Sequence, residues 1–468
     1  MKRKIYFAKV VLSLCTMGLI MISCEKEEVI NEVETAVVEL QEPPYNSYLV
    51  VTESPTLSKS AEDFLAGSGN VLKSFPELGI AVVSSNDVNF EKNALKNKEI
   101  ASVVPNYIIK WIPTEETVSI EANPASIGDD ETYFGYLWGM DAINAPEAWN
   151  AGYKGSGASV YVLDSGVYPY HSDLLPNMNF EDSRSFIEGE PWNVTSLEQS
   201  AHGTHVAGTI AAADNSRGVI GVAPSAEIVA VKVLSGVDGR GPLEGIIEGI
   251  MYAGDMGADV INMSLGVTLN RRSLTLIDAD GDEFRISANW YNHAIIAQQR
   301  AVDYAYKKGS TIVASAGNDP INFDGLYSYV KIPGGLNNVI TVSATSPNGF
   351  GLQETTFFDF ATSYTTYGRS LIDIAGPGGD LYLANGNQNY LDMVLSTIPG
   401  SWAWMAGTSM AAPHVSGVAA LIIGKNGGEM APHEVEKQLL KTADQIDGDG
   451  QSLYFGKGRV NAYRAVTE

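Results

Sequence analysis

Ser409 lies in Gly407-Thr408-Ser409-Met410-Ala411-Ala412-Pro413-His414-Val415-Ser416-Gly417, a short flexible turn that runs into an apolar helix of small residues. A strand-to-helix junction of this kind exposes a hydroxyl and aims the backbone N–H of the same residue at a bound carbonyl, with the positive end of the helix dipole behind it. A serine at a helix start is more often a plain N-cap, so the pattern gains meaning only with partners. Two lie upstream. His202 opens His202-Gly203-Thr204-His205-Val206-Ala207-Gly208, and imidazole is the side chain best matched to moving a proton near neutral pH. Asp164 follows Val160-Tyr161-Val162-Leu163 and precedes Ser165-Gly166, so a strand's carboxyl end would hold its carboxylate rigidly against an imidazole. A nucleophile, a base and an orienting acid are all present, the set that attacks an acyl carbonyl through a covalent intermediate. His205 follows His202 at i+3, not at the i+4 of a helical zinc pair with an intervening Glu, and is expected to be a buried structural residue. His414 is expected to be structural as well.

The order Asp…His…Ser, with the residues around each, resembles the subtilisin-like serine proteases (subtilases) from about Tyr136 to Ala465. The resemblance implies Ser409 as nucleophile, His202 as general base and then acid, and Asp164 as its orienting partner. It implies an oxyanion donor at Asn318, in Ala314-Ser315-Ala316-Gly317-Asn318, with the Ser409 N–H as the second; losing one such donor costs about 3 kcal/mol of transition-state stabilisation. Polypeptide substrate would lie extended between Ser264-Leu265-Gly266 and Ser315-Ala316-Gly317, whose small residues let a backbone approach closely. Asp319, beside the oxyanion asparagine, is expected to favour basic or polar side chains. No cofactor is expected for the chemistry. A structural calcium is implied by Ala213-Asp214-Asn215-Ser216-Arg217-Gly218-Val219, which aligns with a calcium loop of the family. The side chains of Asp173 and Asn215 and the carbonyls of Ala213, Arg217 and Val219 would be hard oxygen ligands; the last, N-terminal ligand is not placed by the sequence.

The elements that must position these residues form two folded units. Ser159–Leu163, Glu227–Val233, Asp259–Met263 and Thr311–Ser315 are apolar, β-branched runs, separated by helical stretches at about His202–Ala212, Leu243–Met256 and Asn292–Lys308. This predicts an α/β fold, a doubly wound and mostly parallel sheet with helices on both faces, over residues 133–468. In such sheets the active residues sit at the carboxyl ends of strands, where Asp164 falls. Residues 46–113 predict a small ferredoxin-like α+β unit of order βαββαβ, with strands at Tyr48–Val51, Val71–Phe75, Gly79–Val83 and Tyr107–Ile112 and helices at Ser60–Ala66 and Asn89–Lys98. It resembles the family's inhibitory propeptide, which implies a cognate partner that docks on the catalytic domain and blocks its cleft until cut. Residues 114–132, rich in Glu, Thr, Ser and Asp, predict an exposed linker holding the maturation site. Asp278-Ala279-Asp280-Gly281-Asp282 lacks the EF-hand glycine at position six and reads as a polar turn in the 267–291 insertion.

Residues 1–23 join a basic head (Lys2, Arg3, Lys4, Lys9) to a short apolar run ending in Ser23-Cys24. This is an export signal, and the small residue before Cys24 resembles a bacterial lipoprotein signal, with Cys24 as the lipidated first residue. Residues 24–45 would be an acidic tether. The expected location is the bacterial cell envelope, membrane-anchored at the outer membrane or cell surface, or released after maturation. Cys15 and Cys24 are the only cysteines, so the mature body forms no disulfide. The 468 residues are 45% hydrophobic and 18% charged, enough for a large core, and a net charge of −25 argues against nucleic acid as a partner. Two alternatives stand beside a secreted, self-processing endopeptidase: a non-catalytic binding module on the same fold, and a peptidase dedicated to one secreted partner.

Overall fold

Residues 47–105 alternate apolar side chains to both faces of a four-stranded antiparallel sheet. Its elements are β1 (Ser47–Thr52), α1 (Lys59–Ser68), β2 (Asn70–Phe75), β3 (Ile80–Ser84), α2 (Phe90–Ala94) and β4 (Ile100–Pro105), in sheet order β2-β3-β1-β4. The Ser58 hydroxyl starts α1 by accepting the Ala61 N–H at 3.0 Å. Val50, Ala81, Val83 and Val103 pack under α1 and α2. Leu49, Val51, Ile80, Val82 and Val104 point the other way, into a core shared with the larger domain, as the period of two requires. The last strand is a correction to the sequence expectation of Tyr107–Ile112. The strand ends at Pro105, with one more ladder bond from the Asn106 N–H to Ser47 O at 2.9 Å, and β5 (Ile108–Lys110) leaves it to pair with the larger domain. The computed structural model describes residues 40–41, 47–112, 118–119, 130–271, 274–277, 283–286, 288–352, 357–448 and 450–468. The signal segment with Cys24, most of the tether and linker, and the Asp278–Asp282 turn lie outside them.

The larger domain is the doubly wound sheet expected. Its strands are β6 (Ser159–Asp164), β7 (Met178–Ser185), β8 (Glu227–Lys232), β10 (Val260–Met263), β11 (Thr311–Ser315), β12 (Ile340–Ser346), β13 (Phe360–Ala361) and β14 (Ile374–Pro377); β9 (Arg240–Pro242) stands outside it. The order is β13-β12-β11-β10-β6-β8-β7, with β14 also on β12, and every pairing is parallel except that of β13. Val160, Val162, Ile228, Ala230 and Val313 face one core, which holds α3 (His202–Ala211) and α6 (Thr408–Lys425). Tyr161, Leu163, Val229, Val231, Ile312 and Ala314 face the other, with α4 (Leu243–Asp255) and α5 (Ala288–Lys308). Burial on both sides explains why these strands are apolar throughout.

The small unit rests on α4 and α5. The Lys73–Glu248 ion pair and a 2.9 Å hydrogen bond from Arg300 Nη1 to Leu78 O rim this contact. A hairpin of β15 (Val394–Ile398) and β16 (Ser401–Met405) leads into the turn before Ser409.

Candidate active site

Asp164 is the last residue of β6, fully buried, and its carboxylate is held from two directions. The Ser165 N–H and hydroxyl donate to Oδ1 at 2.6 and 3.0 Å, and His202 Nδ1 stands 2.9 Å from both oxygens. His202 heads α3, whose second residue is Gly203 for a steric reason. A Cβ there would come within 2.9 Å of Asp164 Oδ1 and 2.3 Å of Gly166 O. With Nδ1 committed to the carboxylate, Nε2 is the ring nitrogen that can exchange a proton with a reacting group.

Ser409 is the second residue of α6, so its N–H is one of the first-turn donors without an intrahelical acceptor. Its carbonyl would be an orphan too, because Pro413, four residues on, brings no N–H. The Ser264 hydroxyl fills that gap, donating to Ser409 O at 2.7 Å. Ser264 Oγ accepts from Asn262 Nδ2 at 3.1 Å, and Ser416 Oγ donates to Asn262 Oδ1 at 2.8 Å, so the clamp is itself fixed. The Ser409 hydroxyl donates to Ser264 O at 3.3 Å. Asn318 follows β11, and its Oδ1 accepts from the Thr408 N–H and hydroxyl at 3.0 and 2.8 Å. That occupation leaves Nδ2 as the donor end of the amide, beside the N-terminus carrying Ser409. The structure therefore brings Asp164 to His202 and Asn318 to the residue before Ser409. It sets all of them where β6, β10 and β11 end.

The two expected substrate edges are adjacent: Ser315 Oγ donates to Leu265 O at 3.5 Å. One edge is already engaged. β5 lies antiparallel to β9 in the register Ile108↔Pro242, Ile109↔Gly241, Lys110↔Arg240, and Gly266 N–H donates to Trp111 O at 3.1 Å. Ile109, Trp111 and Ile112 are buried with Leu234, Leu243, Ile246 and Leu265, and Trp111 Nε1 donates to Gly241 O at 2.9 Å. Further along the chain, Val118 and Ser119 pair with Trp404 and Ala403 of β16. The chain thus adds backbone strands to β9 and to β16, the manner in which an extended peptide binds a sheet edge.

A family model described as the Subtilase family matches residues 155–458, which contain Asp164, His202, Asn318 and Ser409. The chain belongs to the subtilase family. It is 36% identical over 330 residues to subtilisin BL of Lederbergia lenta, covering 70% of this chain and 98% of that one. Thermitase of Thermoactinomyces vulgaris is 36% identical over 343 residues, covering 72% and 98%. The thermophilic serine proteinase of Bacillus sp. (strain AK1) is 32% identical over 402 residues, covering 84% and 83%. In fold, the chain superposes on the epidermin leader peptide processing serine protease of Staphylococcus aureus with a TM-score of 0.71 at 24% identity, over 90% of this chain and 99% of that one. This subtilase is accordingly a subtilisin-like serine endopeptidase.

Around the subtilase's expected calcium loop, Asp173 is buried and its Oδ2 accepts from Val219 N–H at 3.0 Å and Trp402 Nε1 at 2.8 Å. Glu131 supplies a carboxylate that the sequence did not place. Its Oε1 accepts from the Asn215 and Ser216 N–H groups at 2.9 and 3.1 Å. Glu131 Oε2 and Asn215 Oδ1 are buried without a hydrogen-bond partner among the described residues. Burial raises the Glu131 carboxyl above its ordinary range, against the pull of those two N–H groups. Two orphaned oxygens, one carboxylate and one amide, with the buried Asp173 carboxylate hydrogen-bonded to the same loop, fit a hard cation.

His205 and His414 are buried and pair with backbone carbonyls. His205 Nε2 lies 3.1 Å from both Val394 O and Ala403 O, and burial pushes its pKa down to about 3, with His202 nearby contributing next. His414 Nδ1 pairs with Met410 O at 2.8 Å, and burial holds its pKa at about 4. Sequence reasoning also missed Thr408 as the residue that orients Asn318, although it lies in the quoted serine motif. It passed over Lys331, a lone charge in the otherwise apolar Tyr329–Ile332 strand, which was the available signal.

Proposed function

We propose that Ser409, His202, Asp164 and Asn318 hydrolyse peptide bonds of proteins through an acyl-enzyme. Ser409 Oγ bonds to the substrate carbonyl carbon while His202 Nε2 takes its proton. The resulting oxyanion receives hydrogen bonds from Asn318 Nδ2 and the Ser409 N–H. His202 then gives the proton to the leaving amine as the C–N bond breaks, and water repeats the sequence to release the acid. The observation that carries this reading is the committed Asp164–His202 pair, 2.9 Å from Nδ1 to each oxygen, which fixes the tautomer that a serine base needs.

The same proposal includes a precursor. Residues 46–113 act as an inhibitory propeptide, supported by β5 and Trp111 lying along the β9 and Gly266 edges. Maturation falls in the 114–132 linker. A calcium ion held by Glu131, Asp173, Asn215 and the carbonyls of Ala213, Arg217 and Val219 stiffens the 213–219 loop and takes no part in the chemistry. Export, with lipid on Cys24, rests on the sequence of the first residues.

Labelling with a fluorophosphonate probe tests the reading. The wild type should label and mature; Ser409→Ala should remain an unlabelled full-length precursor. A folded, processed wild type that does not label would favour a binding module on the subtilase fold.

A further inference from the structure

Lys331 places an ammonium under the cleft. It lies on the Tyr329–Ile332 strand, opposite Thr268 of Val267–Asn270, and its side chain is 3% exposed. Its position is marked by the glycines of the two substrate edges. A Cβ on Gly317, which holds φ +105°, would come within 2.1 Å of Lys331 Nζ; one on Gly266 would lie 3.4 Å from Cε. The ammonium therefore ends between Ser264–Gly266 and Ser315–Gly317, where a side chain next to the scissile carbonyl would enter.

Its donors are poorly filled. An ammonium carries three N–H groups, yet among the described residues Nζ has Thr268 Oγ1 at 3.4 Å and Asp319 Oδ2 at 3.9 Å, the second too long for a hydrogen bond. Lys232, equally buried, shows the contrast: its ammonium meets Glu190 Oε2 at 3.0 Å and donates to Ser165 O. Burying a charge with so few acceptors is costly unless another arrives. Burial lowers the Lys331 pKa, and Asp319, the one charged group facing it among the described residues, opposes that shift.

Resting on the protease reading of this cleft, we propose that Lys331 makes the enzyme select an acidic residue, glutamate or aspartate, on the amino side of the bond it cuts. The entering carboxylate completes the ammonium's hydrogen bonds. On this proposal Asp319, whose carboxylate faces Lys331, acts on the ammonium instead of setting the preference for basic or polar side chains expected from sequence. The chain carries such residues itself: Glu115 and Glu116 lie in sequence between the strand that pairs with β9 and the pair Val118–Ser119 that joins β16.

The test is a series of chromogenic peptides identical except for Glu, Asp, Gln, Phe or Lys before the reporter bond, with kcat/KM measured for wild type and Lys331→Met. In wild type, Glu should exceed its neutral isostere Gln by about tenfold or more, as one charge-assisted hydrogen bond implies. In Lys331→Met that ratio should fall to near one while Gln and Phe turnover persists. A second measurement needs no variant: the wild-type Glu/Gln ratio should fall as pH rises and the ammonium deprotonates, with changes at His202 cancelling between the two substrates. A wild type that labels with fluorophosphonate but prefers Gln, Phe or Lys, or a Lys331→Met ratio equal to wild type, overturns the assignment. No turnover and no labelling would instead overturn the protease reading beneath it.

Discussion

The clamp on Ser409 makes a signed prediction. Ser264→Ala removes the hydroxyl that reaches Ser409 O at 2.7 Å and accepts from Asn262 Nδ2 at 3.1 Å. Both groups are buried, and each orphan costs about 1–3 kcal/mol. The carbonyl is orphaned only because Pro413 occupies the position whose N–H would otherwise close the helical bond. Pro413→Ala restores that N–H, so Ser264→Ala should cost about 1–3 kcal/mol less in the Pro413→Ala background than alone; the Asn262 share of the loss should remain. The assay is denaturant unfolding of four full-length precursors, all carrying Ser409→Ala to stop self-digestion without changing the backbone carbonyl. Comparing them as a double-mutant cycle removes the separate cost of losing the buried proline ring. Additivity within about 0.5 kcal/mol would refute the argument that the serine hydroxyl substitutes for the missing amide.

Three further outcomes follow from the geometry. Asn318→Ala should lower kcat about 10²–10³-fold with little change in KM, measured on a single peptide substrate, since the donor acts on the oxyanion and not on the bound ground state. His205 and His414 are held at about 3 and about 4 when folded, against about 6.5 when unfolded. The unfolded chain thus binds more protons between these limits, so the stability they confer is present above about pH 6.5 and drains away as pH falls toward the folded values. Asp373, pushed up to about 6 by burial, works in the opposite direction over the same descent. Unfolding midpoints against pH should therefore show a shallower acid limb in His414→Gln than in wild type, and an unchanged limb would contradict the assignment. Chelation should lower the melting temperature of wild type but leave an Asp173→Asn, Glu131→Gln variant nearly unaffected; equal losses in both would remove the cation from the 213–219 loop.

The candidate catalytic set was legible because each member is announced locally. Asp164 ends an apolar strand, His202 and Ser409 begin small-residue helices, and Asn318 follows another strand, so short windows of sequence carry both the residue and the element that aims it. The sheet was legible for a related reason, since burial on both faces writes itself as unbroken apolar runs. What required the fold were contacts between distant segments. Ser264 acts on Ser409 through one hydroxyl, Thr408 orients Asn318, Glu131 closes on a loop far along the chain, and Lys331 reaches under Gly317. None of these has a periodic signature. The last strand of the small unit was misplaced for the same reason: Ile108 and Ile109 are as apolar as an internal strand, and the pairing with Arg240–Pro242 is what shows that this strand belongs to the larger domain.

The sheet of the small unit is greasy on both sides, with Leu49, Val51, Ile80, Val82 and Val104 turned outward onto α4 and α5. If the proposed cut releases this unit, that face would meet water, and what remains would be a fragment too small to hide it with its own two helices. A released copy would spend much of its time open, and an open chain in the presence of an active endopeptidase is food. Digestion would then outrun rebinding. On the proposed maturation, the hydrophobic face that seats this unit would also make switching the enzyme on a one-way event.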